Sequence, residues 1–98
     1  MLGGKLKELR EAKGLVQRQV AAELSVDTAY ISKMESNDKP VSRNHLKKLA
    51  LLYGIKEQYL LTFWLASKVF ELIEKEEVAL EALTIAKAEL INKNNKSK

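Results

Sequence analysis

Gly14-Leu15-Val16-Gln17-Arg18-Gln19-Val20-Ala21-Ala22-Glu23-Leu24-Ser25-Val26-Asp27-Thr28-Ala29-Tyr30-Ile31-Ser32-Lys33-Met34-Glu35 reads as two short amphipathic helices and the turn that joins them. Val20, Ala21 and Leu24 recur at helical spacing and put one face of a helix over 17–24 into a core. Ser25-Val26-Asp27 is too short for anything but a tight turn, and Asp27 is a good N-cap for a second helix over 28–35. Val26, Ile31 and Met34 point that second helix inward, which leaves Thr28, Ala29, Ser32 and Lys33 on its outer face.

Outward from this pair the chain continues helical. Leu6 and Leu9 share a face in a first helix over 4–13, and Gly14 stands where a left-handed stop is wanted. Residues 36–40, Ser-Asn-Asp-Lys-Pro, form a loop in which Asn37 tolerates a positive φ. Ser42 caps a helix running through Tyr53, which buries Leu46, Leu49 and Ala50 and stops at Gly54. A fifth helix starts near Lys56 or Glu57 and carries Tyr59, Leu60, Leu61, Phe63, Trp64, Leu65, Val69, Phe70, Leu72 and Ile73. Glu74-Lys75-Glu76-Glu77 interrupts the apolar pattern, which resumes from Val78 to Leu90. One bent helix and two separate helices over 57–91 both fit. The polar run 92–98 is expected to be a disordered basic tail. The expected class is all-α, because no stretch alternates with a period of two.

Composition narrows the chemistry. The 98 residues include no cysteine and one histidine, which excludes thiolate and multi-histidine metal sites within the chain. No Ser/His/Asp set, Cys/His set or glycine-rich phosphate loop is present, so no enzyme, metal or cofactor is expected. No apolar run nears the roughly 18 residues of a membrane span, and the N-terminus lacks the uninterrupted apolar stretch of a signal peptide. A cytoplasmic location with no membrane partner is expected. Charge is uneven. Residues 1–54 carry ten Lys/Arg against six Asp/Glu, residues 55–91 four against seven, and the tail adds three lysines, for a net +4. A basic first half beside an acidic second half points to different partners for each.

Two helices separated by three residues, the second polar on its outer face, make a helix-turn-helix, whose second helix can enter a major groove about 12 Å wide. Leu6-Lys7-Glu8-Leu9-Arg10, Gly14-Leu15-Val16-Gln17, Val20-Ala21, Leu24-Ser25-Val26 and Ile31-Ser32-Lys33-Met34-Glu35 together resemble the Cro/C1-type (XRE) helix-turn-helix family. The resemblance continues through Leu49-Ala50, Tyr53-Gly54-Ile55 and Tyr59-Leu60-Leu61. It implies a five-helix, lambda-repressor-like domain over 1–61 that binds double-stranded DNA as a homodimer, with a C-terminal helical extension over 62–91. Val16 stands where the family has threonine, a lost cap of about 1 kcal/mol. Ser25 and Asn37 stand where it has glycine.

Carried over by position, the resemblance makes Gln17 a phosphate ligand that also braces the second helix. Thr28, Ala29, Ser32 and Lys33 become base-reading residues, with Tyr30 beside them. Lys39, Arg43, Asn44 and, more weakly, Arg18 become phosphate contacts. Arg10 and Glu35 resemble a structural ion pair, and His45 is read as a surface residue. Phe63, Trp64, Val69, Phe70 and Ile73 exceed what the domain needs and are read as dimerisation surface, with packing within the chain as the alternative. The expected function is a sequence-specific transcriptional regulator at a palindromic operator, a repressor or autoregulator. By association the extension points to phage-type or restriction–modification controller proteins, governed by protein concentration. The competing function is an antitoxin-type protein whose C-terminal helices bind a protein partner.

Overall fold

The computed structural model describes residues 1–96. The helices are α1 (Leu2–Ala12), α2 (Gln17–Leu24), α3 (Thr28–Glu35), α4 (Leu46–Tyr53), α5 (Glu57–Ile73) and α6 (Ala79–Lys96), with a 3-10 turn at Arg43–His45 before α4. No strand occurs among the described residues. The chain divides into two compact units, one from Met1 to Lys68 and one from Val69 onward. The first therefore runs past the boundary expected at residue 61.

Each helix of the first unit contributes one apolar stripe. Leu2 and Leu6 come from α1, Val20, Ala21 and Leu24 from α2, and Ile31 and Met34 from α3. Leu46, Leu49, Ala50 and Tyr53 of α4 stand at i, i+3, i+4 and i+7, and Val41 and Leu60 complete the core. Gly3 is also buried, because its Cα lies against the carbonyls that end α3: a Cβ there would stand 2.5 Å from the oxygen of Met34 and 2.7 Å from that of Glu35.

The exits of the first four helices use one device. Gly14, Ser25, Asn37 and Gly54 all take the left-handed conformation. The next residue then returns its N–H to the carbonyl five residues back: Leu15 to Arg10, Val26 to Ala21, Asp38 to Lys33 and Ile55 to Ala50. These bonds satisfy carbonyls that a helix end would otherwise strand. Ser25, at φ 57, pays the steric penalty that the two glycines avoid. At the start of α2, Val16 offers no side-chain cap. Gln19 reaches back from inside the helix, its Oε1 accepting from the Val16 N–H at 2.8 Å.

Three expectations are corrected and one open alternative is decided. The first helix begins at Leu2 rather than residue 4. The fourth opens as a 3-10 turn, with the Ser42 hydroxyl accepting from the Asn44 N–H at 3.3 Å. Residues 74–78 separate two helices. The run from residue 92 is not a disordered tail, since α6 continues through Lys96; Ser97 and Lys98 lie outside the described residues. Its Asn and Lys residues break no helix, and no Gly or Pro interrupts the run.

In the second unit no described side chain of α6 is buried. Large apolar side chains stand in solvent there, including Phe70 at 51% exposure, Leu72 at 79%, Leu80 at 74% and Ile85 at 66%. No helix among the described residues is long and apolar enough to cross a membrane.

Candidate nucleic-acid interface

The site is built from α3, and α3 is set by its ends and its inner face. Asp27 caps it, its Oδ1 accepting from the Tyr30 N–H at 2.8 Å. Ile31, Met34 and Glu35 are buried. Thr28, Ala29, Ser32 and Lys33 are all exposed on the opposite face, as the spacing predicted. That face offers two hydroxyls, two methyls and one ammonium, a set that can meet both base edges and phosphates.

The far end of α3 is fixed by a buried polar network. Arg10 of α1 meets Glu35 through two parallel bonds, Nε to Oε2 at 2.7 Å and Nη2 to Oε1 at 3.0 Å. Its remaining nitrogen Nη1 donates to the Leu15 carbonyl at 2.9 Å. Glu35 Oε1 also accepts from Gln17 Nε2 at 3.1 Å. The carboxylate thus ties α3 to α1 and to the first residue of α2. Hydrogen bonding to Glu35 holds the Arg10 guanidinium above its ordinary pKa, so it stays charged. Burial, reinforced by the Glu35 charge, pushes the nearby Tyr53 hydroxyl up to about 12.

The Gln17 amide N–H is thus directed at Glu35 of α3. Arg18 is exposed on the same helix. Lys39, Arg43 and Asn44 are exposed in and after the loop that follows α3. Tyr30 is half-buried: its hydroxyl donates to the Pro40 carbonyl at 3.4 Å, and its ring meets His45 edge-on at 6.0 Å between centroids. His45 is thus no plain surface residue. It is half-buried, and its Nδ1 is enclosed without a hydrogen-bond partner among the described residues.

Two of the five side chains read as dimerisation surface are used within the first unit. Trp64 donates its indole N–H to the Val41 carbonyl at 2.6 Å. Phe63 packs edge-on against Tyr59, with Lys5 Nζ 5.5 Å from its ring. Both side chains pack against the core. Val69 and Phe70 are exposed, and Ile73 is half-buried. An amphipathic pattern cannot show which of several apolar faces the chain itself covers; the backbone carbonyl waiting at Val41 has no signature in the sequence.

A bundle of this kind, with a capped and braced second helix showing a polar face, defines a small all-α DNA-binding domain. A family model described as helix-turn-helix matches residues 6–60. That is more than half of the chain, and the chain belongs to this family, the Cro/C1 type. It is also similar to the propionyl-CoA carboxylase regulator of Cereibacter sphaeroides, 40% identical over 53 residues that make up 54% of this chain and 12% of that protein. The chain thus corresponds to a small part of that much longer relative. No solved structure matches it significantly.

Proposed function

We propose that the protein is a transcriptional regulator that binds a palindromic operator as a homodimer, reading bases with Thr28, Ala29, Ser32 and Lys33 of α3. The observation that carries this reading is the two-sidedness of α3. Its inner face is locked by Ile31, Met34 and the buried Arg10–Glu35 pair, while its outer face is bare. A helix held that rigidly and left uncovered is suited to a groove. Arg18, Lys39, Arg43 and Asn44 flank it as phosphate contacts. The regulator name of the Cereibacter relative agrees with this reading.

Homodimerisation rests on the apolar surface of the second unit. An isolated helix gains little in water from propensity alone, and most helical stability comes from burying a face. No described side chain of α6 is buried in one copy of the chain. A second copy supplying the same surface gives the two-fold arrangement that a palindrome requires, with half-sites about one helical turn of DNA apart. Val69, Phe70 and Ile73 remain the α5 contribution to this interface.

The test is fluorescence anisotropy on the DNA upstream of the gene and on a scrambled duplex, over a salt series. Tight binding to the first, about a hundredfold over the second and with two chains per duplex, is expected. Weak, equal and steeply salt-dependent binding to both would reduce the site to a basic surface. The second unit would then be examined as a docking surface for another protein, the antitoxin-type arrangement.

A further inference from the structure

Tyr30 belongs to neither face of α3. It is half-buried, while Thr28, Ala29, Ser32 and Lys33 are exposed and Ile31, Met34 and Glu35 are buried. Its side chain reaches along the flank of the helix to the segment 39–45 and touches it at two places. The hydroxyl donates to the Pro40 carbonyl at 3.4 Å, and the ring meets His45 edge-on, with 81° between the planes. Pro40 directly follows Lys39, and His45 directly follows Arg43 and Asn44. One side chain of α3 thus holds both ends of the segment that carries three of the proposed phosphate contacts.

The two holds differ in strength. An O–H···O bond of 3.4 Å is long against the roughly 2.5–3.0 Å of an ordinary one, so the ring contact carries more of the link. Edge-to-face packing fixes both the distance and the angle between two rings. Lys39 has a tie of its own to α3, its N–H donating to the Lys33 carbonyl at 3.2 Å. Arg43 and Asn44 have no such tie. They stand in the 3-10 turn that His45 closes, its N–H donating to the Ser42 carbonyl at 3.0 Å. The ring that Tyr30 meets therefore belongs to the same turn as the Arg43 guanidinium.

We propose that Tyr30 is a positioning residue for DNA binding: through His45 it sets the turn carrying Arg43 and Asn44 at the spacing from the base-reading face that a duplex backbone requires. Phosphates lie at fixed distances from the base edges, so a side chain on a separate turn reaches one only when that turn is in register with α3. The Tyr30–His45 contact is what ties the turn to the flank of α3. A half-buried phenol whose hydroxyl and ring are both engaged within the chain has little left to offer a base. This proposal rests on the DNA-binding reading, and it gives Tyr30 a role other than the direct contact implied by its place beside the base-reading residues.

The experiment measures binding of full-length variants to the upstream duplex and to a random-sequence duplex over a salt series, at temperatures where circular dichroism shows each variant folded. A neutral side chain releases no counterion, so removing one alters the slope of log K against log salt only through the cations it positions. Tyr30→Ala should weaken both duplexes and make the slope shallower by about 0.9 per subunit, one phosphate contact. Tyr30→Phe keeps the ring contact and should restore the wild-type slope. His45→Phe should keep that slope too, since it retains an aromatic edge, whereas His45→Ala should reproduce Tyr30→Ala. In an Arg43→Ala background Tyr30→Ala should change the slope no further, while beside Lys33→Ala its effect should add in full. If Tyr30→Ala does not fold, Tyr30→Leu and His45→Ala still decide. Unchanged binding, or weaker binding at an unchanged slope, would overturn the positioning role while leaving the DNA-binding reading intact. Failure of the wild type to bind any duplex would remove that reading and the positioning role with it.

Discussion

Gly3 donates its backbone N–H to Asn37 Oδ1 at 2.9 Å, joining the first turn of α1 to the residue that ends α3. Asn37 does two things at once. Its backbone takes the left-handed conformation at φ 64, and its side chain satisfies an N–H that no helical carbonyl can reach. A glycine at 37 would supply the first and not the second. The amide of Asn37 thus adds a cross-link that holds the far end of α3.

The close approach at Gly3 makes a sharp comparison with its neighbour. A Cβ at Gly3 would collide with two backbone carbonyl oxygens, whereas one at Gly4 meets nothing within 4 Å. Gly3→Ala should destabilise the protein by about 2 kcal/mol through overpacking. Gly4→Ala should stabilise it by about 0.5 kcal/mol through helix propensity. Urea denaturation of the two variants checks the opposed signs, and equal effects would place the α1 terminus elsewhere.

Removing one member of the buried pair strands the other. Glu35→Gln leaves the Arg10 charge inside without its carboxylate, a loss of about 3 kcal/mol. Arg10→Met together with Glu35→Leu should recover most of that stability, because both desolvation penalties disappear. The double variant should nevertheless bind its operator less selectively, since Gln17 no longer has an acceptor on α3. Chemical denaturation and competition binding measure the two effects separately. A double variant with full selectivity would show that the network stabilises α3 without aiming it.

The Tyr53 hydroxyl gives the fold a pH dependence in the alkaline range. Its folded pKa is raised to about 12, above an unfolded value near 10. Between those values the folded state binds more protons than the unfolded one. Stability from this group is therefore fully present below about pH 10 and declines as pH rises toward 12. Tyr53→Phe should flatten that decline. Denaturation midpoints of both proteins across pH 9 to about 12 provide the comparison; parallel curves would assign the loss to other groups.

Much of the first unit could be read from the chain because its signals are local. The spacing of Leu46, Leu49, Ala50 and Tyr53, the cap at Asp27 and the stops at Gly14 and Gly54 each act within a few residues. The polar face of α3 follows from the same periodicity. The contacts that were not legible are those between distant segments: Trp64 to Val41 and Gly3 to Asn37. Trp64 and Phe63 looked like surplus surface because a long apolar helix shows several faces and periodicity cannot say which is covered. The last residues of α6 read as a tail because Asn and Lys are polar, although neither stops a helix already under way.

The exposed apolar side chains of the second unit lead to a separation of two effects. Phe70→Lys with Leu83→Lys places charges where both side chains now face solvent. Those changes should leave the thermal transition of the first unit in place and weaken self-association by at least about tenfold, the loss of one buried aromatic contact. Trp64→Ala should do the reverse, lowering stability through the lost Val41 bond and core contact. Sedimentation equilibrium with parallel thermal melts distinguishes them. A wild-type chain that stays monomeric at high micromolar concentration would sink the dimer and turn attention to a different partner for α6.

Base reading and phosphate contact can be told apart on α3 and the loop after it. Lys33 projects from the outer face of α3, where an ammonium can donate to guanine O6 and N7. Arg43 sits in the 3-10 turn beyond the loop, against the Trp64 ring. Lys33→Ala should cost roughly 1–3 kcal/mol on the operator and relax one base position. Arg43→Ala should weaken operator and random duplex in proportion and make the salt dependence shallower by about one phosphate contact. Binding selection over a randomised operator, repeated at several salt concentrations, reads both quantities from one experiment. An unaltered base preference in Lys33→Ala would remove that residue from readout, and a selectivity loss in Arg43→Ala at constant salt slope would move the guanidinium from the backbone into the groove.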